Sequence, residues 1–518
     1  MVKKNETSLL LFAFIIAAVG ITFFSSSSFF YPINEWQDVN IYYTIGKGIA
    51  HGLVPYRDLI DQKGPIIFSL YCIAYLLTPN SFVGLSILQI CNMTAFLYYI
   101  GKIAKMIVGG EFTSFIQITI AVLVFSSAAY YTGGSAEEFV MALWAISMYD
   151  LLRICQSRSI DGWMAWRNGL IVGLVLFIKF NLLGFWAILC IVAIIVVSRK
   201  GKKNRSQLQM MSYFILGFFL ITLAVLFYYL INGAIQDLFL RYFYDNLFLY
   251  SSSIAESEAQ HLEIIEKFKN IIGNVYGSFM QERIFNIIFA VGFVVSLNKK
   301  TISWIKRHLF MVISAGSSFV VMAAGAYWGE GFHEYYILVF AGFLVFPLCA
   351  FAVWAEGGYS KLLNLSKNRV VWVVATYLLI AFVFTWNLSS TTQNFMKPKG
   401  ETIQFKVASH IEEGSTLLNY GFLDSGFYFA SKTIPNVPYF FCMNFTYEEL
   451  PNMYDAQKKY VEDGLCRYVV TRQKNGEDIS DITKINPDYV EIYSIKATDG
   501  LHNTEMTYRL YCLKGYGN

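Results

Sequence analysis

Apolar runs of about 18–22 residues recur along most of this chain, each long enough to cross ~30 Å of hydrocarbon as a helix. Nothing else in the sequence restricts the fold so strongly. A chain built this way satisfies its backbone polar groups only as helices within lipid, so the runs predict a polytopic α-helical membrane protein. Charged residues are 15% of the 518, below the roughly 25% of soluble domains, which agrees. The net charge of +4 is scattered in small basic groups between runs, so a nucleic-acid surface is not expected.

Candidate spans fall at 8–30, 82–101, 113–131, 138–153, 168–182, 183–198, 209–231, 283–298, 308–327, 335–354 and 370–388. The apolar segment 65–77 is too short to cross and is read as an interfacial helix. With the N-terminus inside, the strongly basic loops then fall on one side. They carry Lys102 and Lys105; Arg153, Arg158 and Arg167; Arg199 to Arg205; Lys299, Lys300, Lys306 and Arg307; and Lys361, Lys367 and Arg369. The pair 168–198 either spans or re-enters. Lys179 within it, mid-membrane by this count, pairs with a carboxylate, lines a cavity or marks a re-entrant hairpin. The start, Met1-Val2-Lys3-Lys4 before an apolar run, reads as an uncleaved signal anchor.

Two domains are expected: 1–390 in the membrane, with outer loops 31–64 and 232–282, and 391–518 outside it as a small α/β domain. The second carries helical stretches near 401–412 and 447–463. Its strand-like runs are Arg467–Val470, Tyr489–Tyr493 and Tyr508–Tyr511. An amphipathic helix is expected near Glu263–Phe268. The eight cysteines contain no CxxC and read as small buried apolar residues.

Polar residues concentrate in the loops assigned to the outer face. The first loop supplies Glu35, Asp38, Tyr56, Arg57, Asp58, Asp61 and Lys63. The loop after the third span supplies Glu137 and Glu138, and the loop after the ninth supplies Glu330, His333 and Glu334. A site there meets no pool of soluble nucleotides, so a group donor has to arrive on a lipid. Lys63 is placed to hold a lipid phosphate, with Arg57 as a second cation, and Asp38 to take a proton from an acceptor hydroxyl.

One span, an acidic outer loop, then Lys63-Gly64-Pro65 opening an interfacial helix resembles the GT-C membrane glycosyltransferases. The resemblance is to the bacterial branch related to aminoarabinose transferases and protein O-mannosyltransferases. It covers most of the chain and implies eleven to thirteen spans and an outer C-terminal α/β domain. It also implies Asp38 as catalytic base and Lys63 on the phosphate of a polyprenyl-phosphate sugar donor. Gly64 stands where the family carries a proline, and Glu137-Glu138 where relatives often carry an aspartate. The acceptor would be an envelope glycan, a teichoic-acid-like polymer or a lipid at the outer face of a bacterial cytoplasmic membrane, with inversion at the anomeric carbon.

Each assignment has a plainer counterpart. Asp38 can cap a helix or form a salt bridge, Lys63 can snorkel, and Arg57, Asp58 and Asp61 can form a structural ion network. Glu35 can be a solvated neighbour, and Glu137 and Glu138 suit a helix N-terminus in any case. Tyr335 and Tyr336 suit an interfacial belt. No obligatory cofactor is expected; a divalent metal near His333 and Glu334 is the minor alternative. A lipid-linked glycan flippase and a non-catalytic envelope assembly protein are the competing functions. A flippase needs several charges inside the bundle, and Lys179 is essentially the only one expected.

Overall fold

The computed structural model describes residues 2–110, 112–199, 205–249, 260–328, 333–363, 367–474, 481–499 and 504–515. Lys200, Lys202, Lys203 and Glu330 lie outside them. In chain order the helices are α1 (Val2–Phe24), α2 (Gln37–Ala50), α3 (Pro65–Leu77), α4 (Val83–Val108) and α5 (Thr113–Ser126). There follow α6 (Ala136–Ser157), α7 (Gly162–Lys179), α8 (Gly184–Arg199), α9 (Arg205–Ile231) and the single turn α10 (Ile235–Asp237). A π-helical stretch, Leu238–Leu249, continues from α10. Then come α11 (Gln260–Gln281), α12 (Arg283–Ser296), α13 (Lys299–Arg307), α14 (Leu309–Ala326), α15 (Val345–Leu363) and α16 (Lys367–Leu388). Short helices α17 (Ile403–Ala408), α18 (Phe427–Ala430), α19 (Pro451–Glu462) and α20 (Ile482–Ile485) accompany four strands. These are β1 (Leu417–Tyr420), β2 (Tyr468–Lys474), β3 (Tyr489–Asp499) and β4 (Thr504–Leu513).

All eleven expected spans contain a helix. Among the described residues six helices are individually long and apolar enough to cross a membrane, and α11 with α12 makes a further pair bent by 97°. At 13 residues α3 extends only ~20 Å, too short to cross. This is a multi-pass membrane protein.

The chain forms two compact units. The first comprises Met1–Ser25, Gln89–Ala224 and Glu258–Gln393; the second comprises Ser26–Leu88, Val225–Ser257 and Asn394–Asn518.

The first unit is a helix bundle held by close backbone approach. A Cβ on Gly169 of α7 would lie 2.0 Å from the Phe214 carbonyl oxygen of α9, and one on Gly217 of α9 would lie 2.1 Å from that of Trp166. Only glycine at both positions lets these helices pack so closely. Between α7 and α8 the chain makes one 3-10 turn, Phe180–Leu182, and Lys179 ends α7. Lys179 thus stands at the break between the two helices. A correction concerns buried charge. Asp150 of α6 is fully buried and bonds bidentately to Arg167 at 2.5 and 2.6 Å, with Asn168 donating at 2.7 Å. Lys179 is thus not the sole charge inside the bundle.

The second unit joins the loop segments after α1 to the C-terminal sheet, whose order is β1-β2-β4-β3 with β1 and β2 parallel and the other pairs antiparallel. The three strand-like runs are β2, β3 and β4. Strand β1 is not among them because its four residues, Leu-Leu-Asn-Tyr, are too few for a period-two signal. The expected first outer loop also contains α2, almost wholly buried from Val39 to Gly48.

Candidate active site

Two groups of polar side chains are built, one in each unit. In the second unit, Asp38 sits in the first turn of α2, where the exposed peptide N–H groups favour negative charge. Lys63 immediately precedes Gly64, the N-cap of α3, and Pro65 fills the first helical position, where a missing N–H does no harm. The two helix starts bring the side chains together: Lys63 Nζ lies 3.4 Å from Asp38 Oδ2. Tyr42, one turn along α2, donates its hydroxyl to the same oxygen at 3.1 Å.

Tyr56 fixes the backbone of Lys63 by donating its hydroxyl to the Lys63 carbonyl at 2.5 Å. Its own backbone has φ +70°, a left-handed conformation that costs a non-glycine residue about 1–2 kcal/mol. The buried ring packs 5.6 Å from Tyr229 and 6.5 Å from Tyr242, which holds that conformation in place. Asn246 adds a bond from Nδ2 to the Gln62 carbonyl at 2.6 Å.

The remaining loop residues have distinct partners. Arg57 donates to both Asp58 oxygens at 2.8 and 2.7 Å and to the Asn232 carbonyl at 2.7 Å, while Asp58 accepts from the Val54 N–H at 2.8 Å. These bonds close the Val54–Asp58 turn, and the Arg57 hydrogen bond holds the Asp58 carboxyl below its usual range. Glu35 accepts from Asn394 at 3.0 Å. Asp61 is 95% buried: Oδ1 accepts from the Gln62 N–H at 2.8 Å, and Oδ2 has no hydrogen-bond partner among the described residues. Burial pushes its carboxyl up to about 6, partly opposed by the charge of Lys63.

α2 is strapped to the sheet domain of the same unit. Thr44 donates to Asp424 Oδ2 at 2.8 Å, and the buried Lys47 ammonium donates to the carbonyls of Lys432 at 2.6 Å and Thr433 at 3.0 Å. The Ile60 N–H donates to the Pro438 carbonyl at 3.0 Å. The sheet domain therefore fixes the helix that presents Asp38.

In the first unit, Ser135 caps α6 by accepting from the Glu138 N–H at 3.0 Å, and Glu138 reaches back to accept from the Gly134 N–H at 2.6 Å. The Ser135 bond is that of a capping box, while the returning bond from Glu138 goes to the residue before the N-cap. Gln89 also donates to the Glu138 carboxylate at 3.0 Å, so this acid is engaged in holding the helix start. Its neighbour Glu137 forms a buried ion pair with Lys179. Lys179 lies 3.9 Å from the Tyr336 ring centroid and 5.5 Å from that of Tyr335, and His333 stacks on Tyr335 at 5.4 Å. The loops carrying Glu137 and His333 thus meet around Lys179. Glu334 opens the 3-10 stretch Glu334–Leu344. Among the described residues no group of three or more His, Cys, Asp or Glu side chains is arranged to hold a metal ion.

No family model matches the chain, and no curated protein matches its sequence. Solved structures do. The crystal structure of ArnT from Cupriavidus metallidurans bound to undecaprenyl phosphate superposes with a TM-score of 0.57, covering 97% of each chain at 12% identity. The apo ArnT structure from the same organism gives 0.54, again with 97% of each chain covered, at 10% identity. The chain has the fold of ArnT. At such low identity the fold is what is shared, and it is the fold that the span, acidic loop and Lys63-Gly64-Pro65 arrangement resembles.

Within this ArnT-like frame stand several residues that sequence reasoning misses. Tyr42 stands four residues after Asp38, the helical spacing that joins them, but the composition around it reads as loop. Lys47 is a lone lysine in an apolar stretch, and the carbonyls it bonds are far along the chain. Glu282 is buried at the break between α11 and α12 and accepts from the Ala129 N–H at 2.6 Å. A carboxylate directly preceding an apolar run is its available signal.

Proposed function

We propose that this protein is a membrane glycosyltransferase that takes a sugar from a polyprenyl-phosphate donor and passes it to a cell-envelope glycan, teichoic-acid-like polymer or lipid hydroxyl. The observation that carries this reading is the Lys63–Asp38 contact at 3.4 Å, within an ArnT-like fold. In the free protein each side chain neutralises the other. A donor phosphate arriving at Lys63 competes for the ammonium and leaves Asp38 with less cationic stabilisation, hence a better base. The acceptor oxygen then attacks the anomeric carbon and its proton passes to Asp38. The bond from that carbon to the phosphate oxygen breaks, and Lys63 meets the charge growing on the leaving phosphate. Attack opposite the leaving group inverts the anomeric centre. The chemistry uses a carboxylate and an ammonium, with no obligatory metal or cofactor.

The reaction takes place at the outer face of a bacterial cytoplasmic membrane, the side to which the positive-charge distribution assigns the loop of Asp38. A test uses purified protein in liposomes with polyprenyl-phosphate sugar labelled in both sugar and lipid. Wild type transfers the sugar label to acceptor, and Asp38→Asn loses about 10²–10⁴-fold of that rate with the protein still folded. Near-normal transfer by Asp38→Asn would remove the assignment, and movement of both labels across the bilayer without transfer would make the protein a flippase.

A further inference from the structure

A cavity of about 540 Å³ lies in the first unit among α12, α13, α14 and α15, remote in sequence from Asp38 and Lys63. Its walls include Phe289 and Phe293 of α12, Trp304 and Ile305 of α13, and Gly316 and Phe319 of α14. This volume is in the range of pockets that enclose small ligands, and an apolar wall with almost no polar group selects a hydrocarbon. Phe293 is 68% exposed, so the cavity opens on a face that meets lipid in a multi-pass membrane protein.

Cations gather beside it. α13, Lys-Lys-Thr-Ile-Ser-Trp-Ile-Lys-Arg, contains no acidic residue. Lys300, Trp304 and Arg307 recur at i, i+4 and i+7, so the two cations flank, on one helical stripe, an aromatic residue of the wall. Lys105 precedes the wall residue Ile107 by two positions, and the Arg158 guanidinium lies 4.1 Å over the ring of Phe310, next to the wall residue Met311. An apolar hollow with a cationic rim matches a lipid whose headgroup is anionic.

We propose that this cavity is a binding site for an anionic glycerophospholipid of the surrounding bilayer, with an acyl chain between α12 and α14 and the phosphate on Lys300 and Arg307. The inference rests on the membrane fold and is independent of the transferase reading.

The full-length protein, reconstituted in nanodiscs with equal phosphatidylglycerol and phosphatidylcholine and then studied by native mass spectrometry, tests it. Wild type retains phosphatidylglycerol over phosphatidylcholine by about tenfold. Gly316→Leu fills the cavity; the added Cβ meets nothing within 4 Å, so the helix tolerates it, and retention of either lipid is lost. Lys300→Gln with Arg307→Gln, both exposed, keeps a lipid but brings the two headgroups near parity. Equal retention by wild type, or undiminished retention by Gly316→Leu, overturns the proposal. Displacement of phosphatidylglycerol by undecaprenyl phosphate at equal concentration overturns the phospholipid assignment in favour of a carrier lipid.

Discussion

Lys63 Nζ lies 3.4 Å from Asp38 Oδ2, with both side chains about four-fifths buried at 21% and 18% exposure. Each sits at the start of a different helix, and the Tyr42 and Tyr56 hydroxyls hold the two from behind. If Lys63 carries the leaving phosphate, Lys63→Met lowers kcat about 10²–10³-fold, the loss typical of removing one preorganised charge-stabilising donor. Lys63→Arg restores part of it. Single-turnover transfer with labelled donor reads the chemical step directly, and an unchanged rate with only a raised KM would make Lys63 a binding residue alone.

The strap from α2 to the sheet domain gives a second expectation. Lys47→Met leaves the carbonyls of Lys432 and Thr433 without their donor in a buried place, which costs roughly 1–3 kcal/mol for the unsatisfied groups. The melting temperature in detergent falls by a few degrees. Transfer falls as well, because the helix presenting Asp38 loses its fixed position. A variant with normal stability but lost activity would instead place Lys47 in contact with substrate.

The eleven apolar segments are legible in the sequence because lipid leaves the backbone only helices, and a run of adequate length is hard to mistake. α2 is hidden for the opposite reason. Its stretch Gln37–Ala50 mixes Asp38, Asn40 and Lys47 with apolar residues, and composition reads that mixture as loop. It is buried because Thr44 and Lys47 find partners at Asp424, Lys432 and Thr433. No local pattern announces partners so distant in sequence. Asp38 and Lys63 are found through chemistry at the membrane edge together with the Lys-Gly-Pro start of a helix. The different engagements of Glu137 and Glu138 are not legible, since adjacent carboxylates in a first turn look alike until their neighbours are known.

Those engagements separate in a double-mutant cycle. Glu137→Gln leaves the Lys179 ammonium buried without its carboxylate, and Lys179→Met leaves Glu137 the same way, each destabilising by about 3–5 kcal/mol. The double variant recovers much of that loss, because no unpaired charge remains. Chemical denaturation in detergent measures the coupling. Additive losses would mean that the two side chains do not form a pair in the bilayer-like environment.

Asp61 provides the pH test. Its carboxyl, at about 3.9 in an unfolded chain, is pushed up to about 6 by burial. The folded protein therefore holds this proton more tightly than the unfolded chain does. The stability so gained is present below the unfolded value and is lost as pH rises through about 6, since the ionised Oδ2 then sits buried without a hydrogen-bond partner among the described residues. Asp61→Asn puts an amide in its place, neutral at every pH, and so removes this dependence. Between about pH 4.5 and 7.5 the wild-type melting temperature should decline relative to Asp61→Asn, with a gap at the upper end on the order of 2–3 kcal/mol in favour of the variant. Parallel profiles for the two proteins would mean that the carboxyl is solvated in the folded chain, and the burial of the loop beside Lys63 would have to be redrawn.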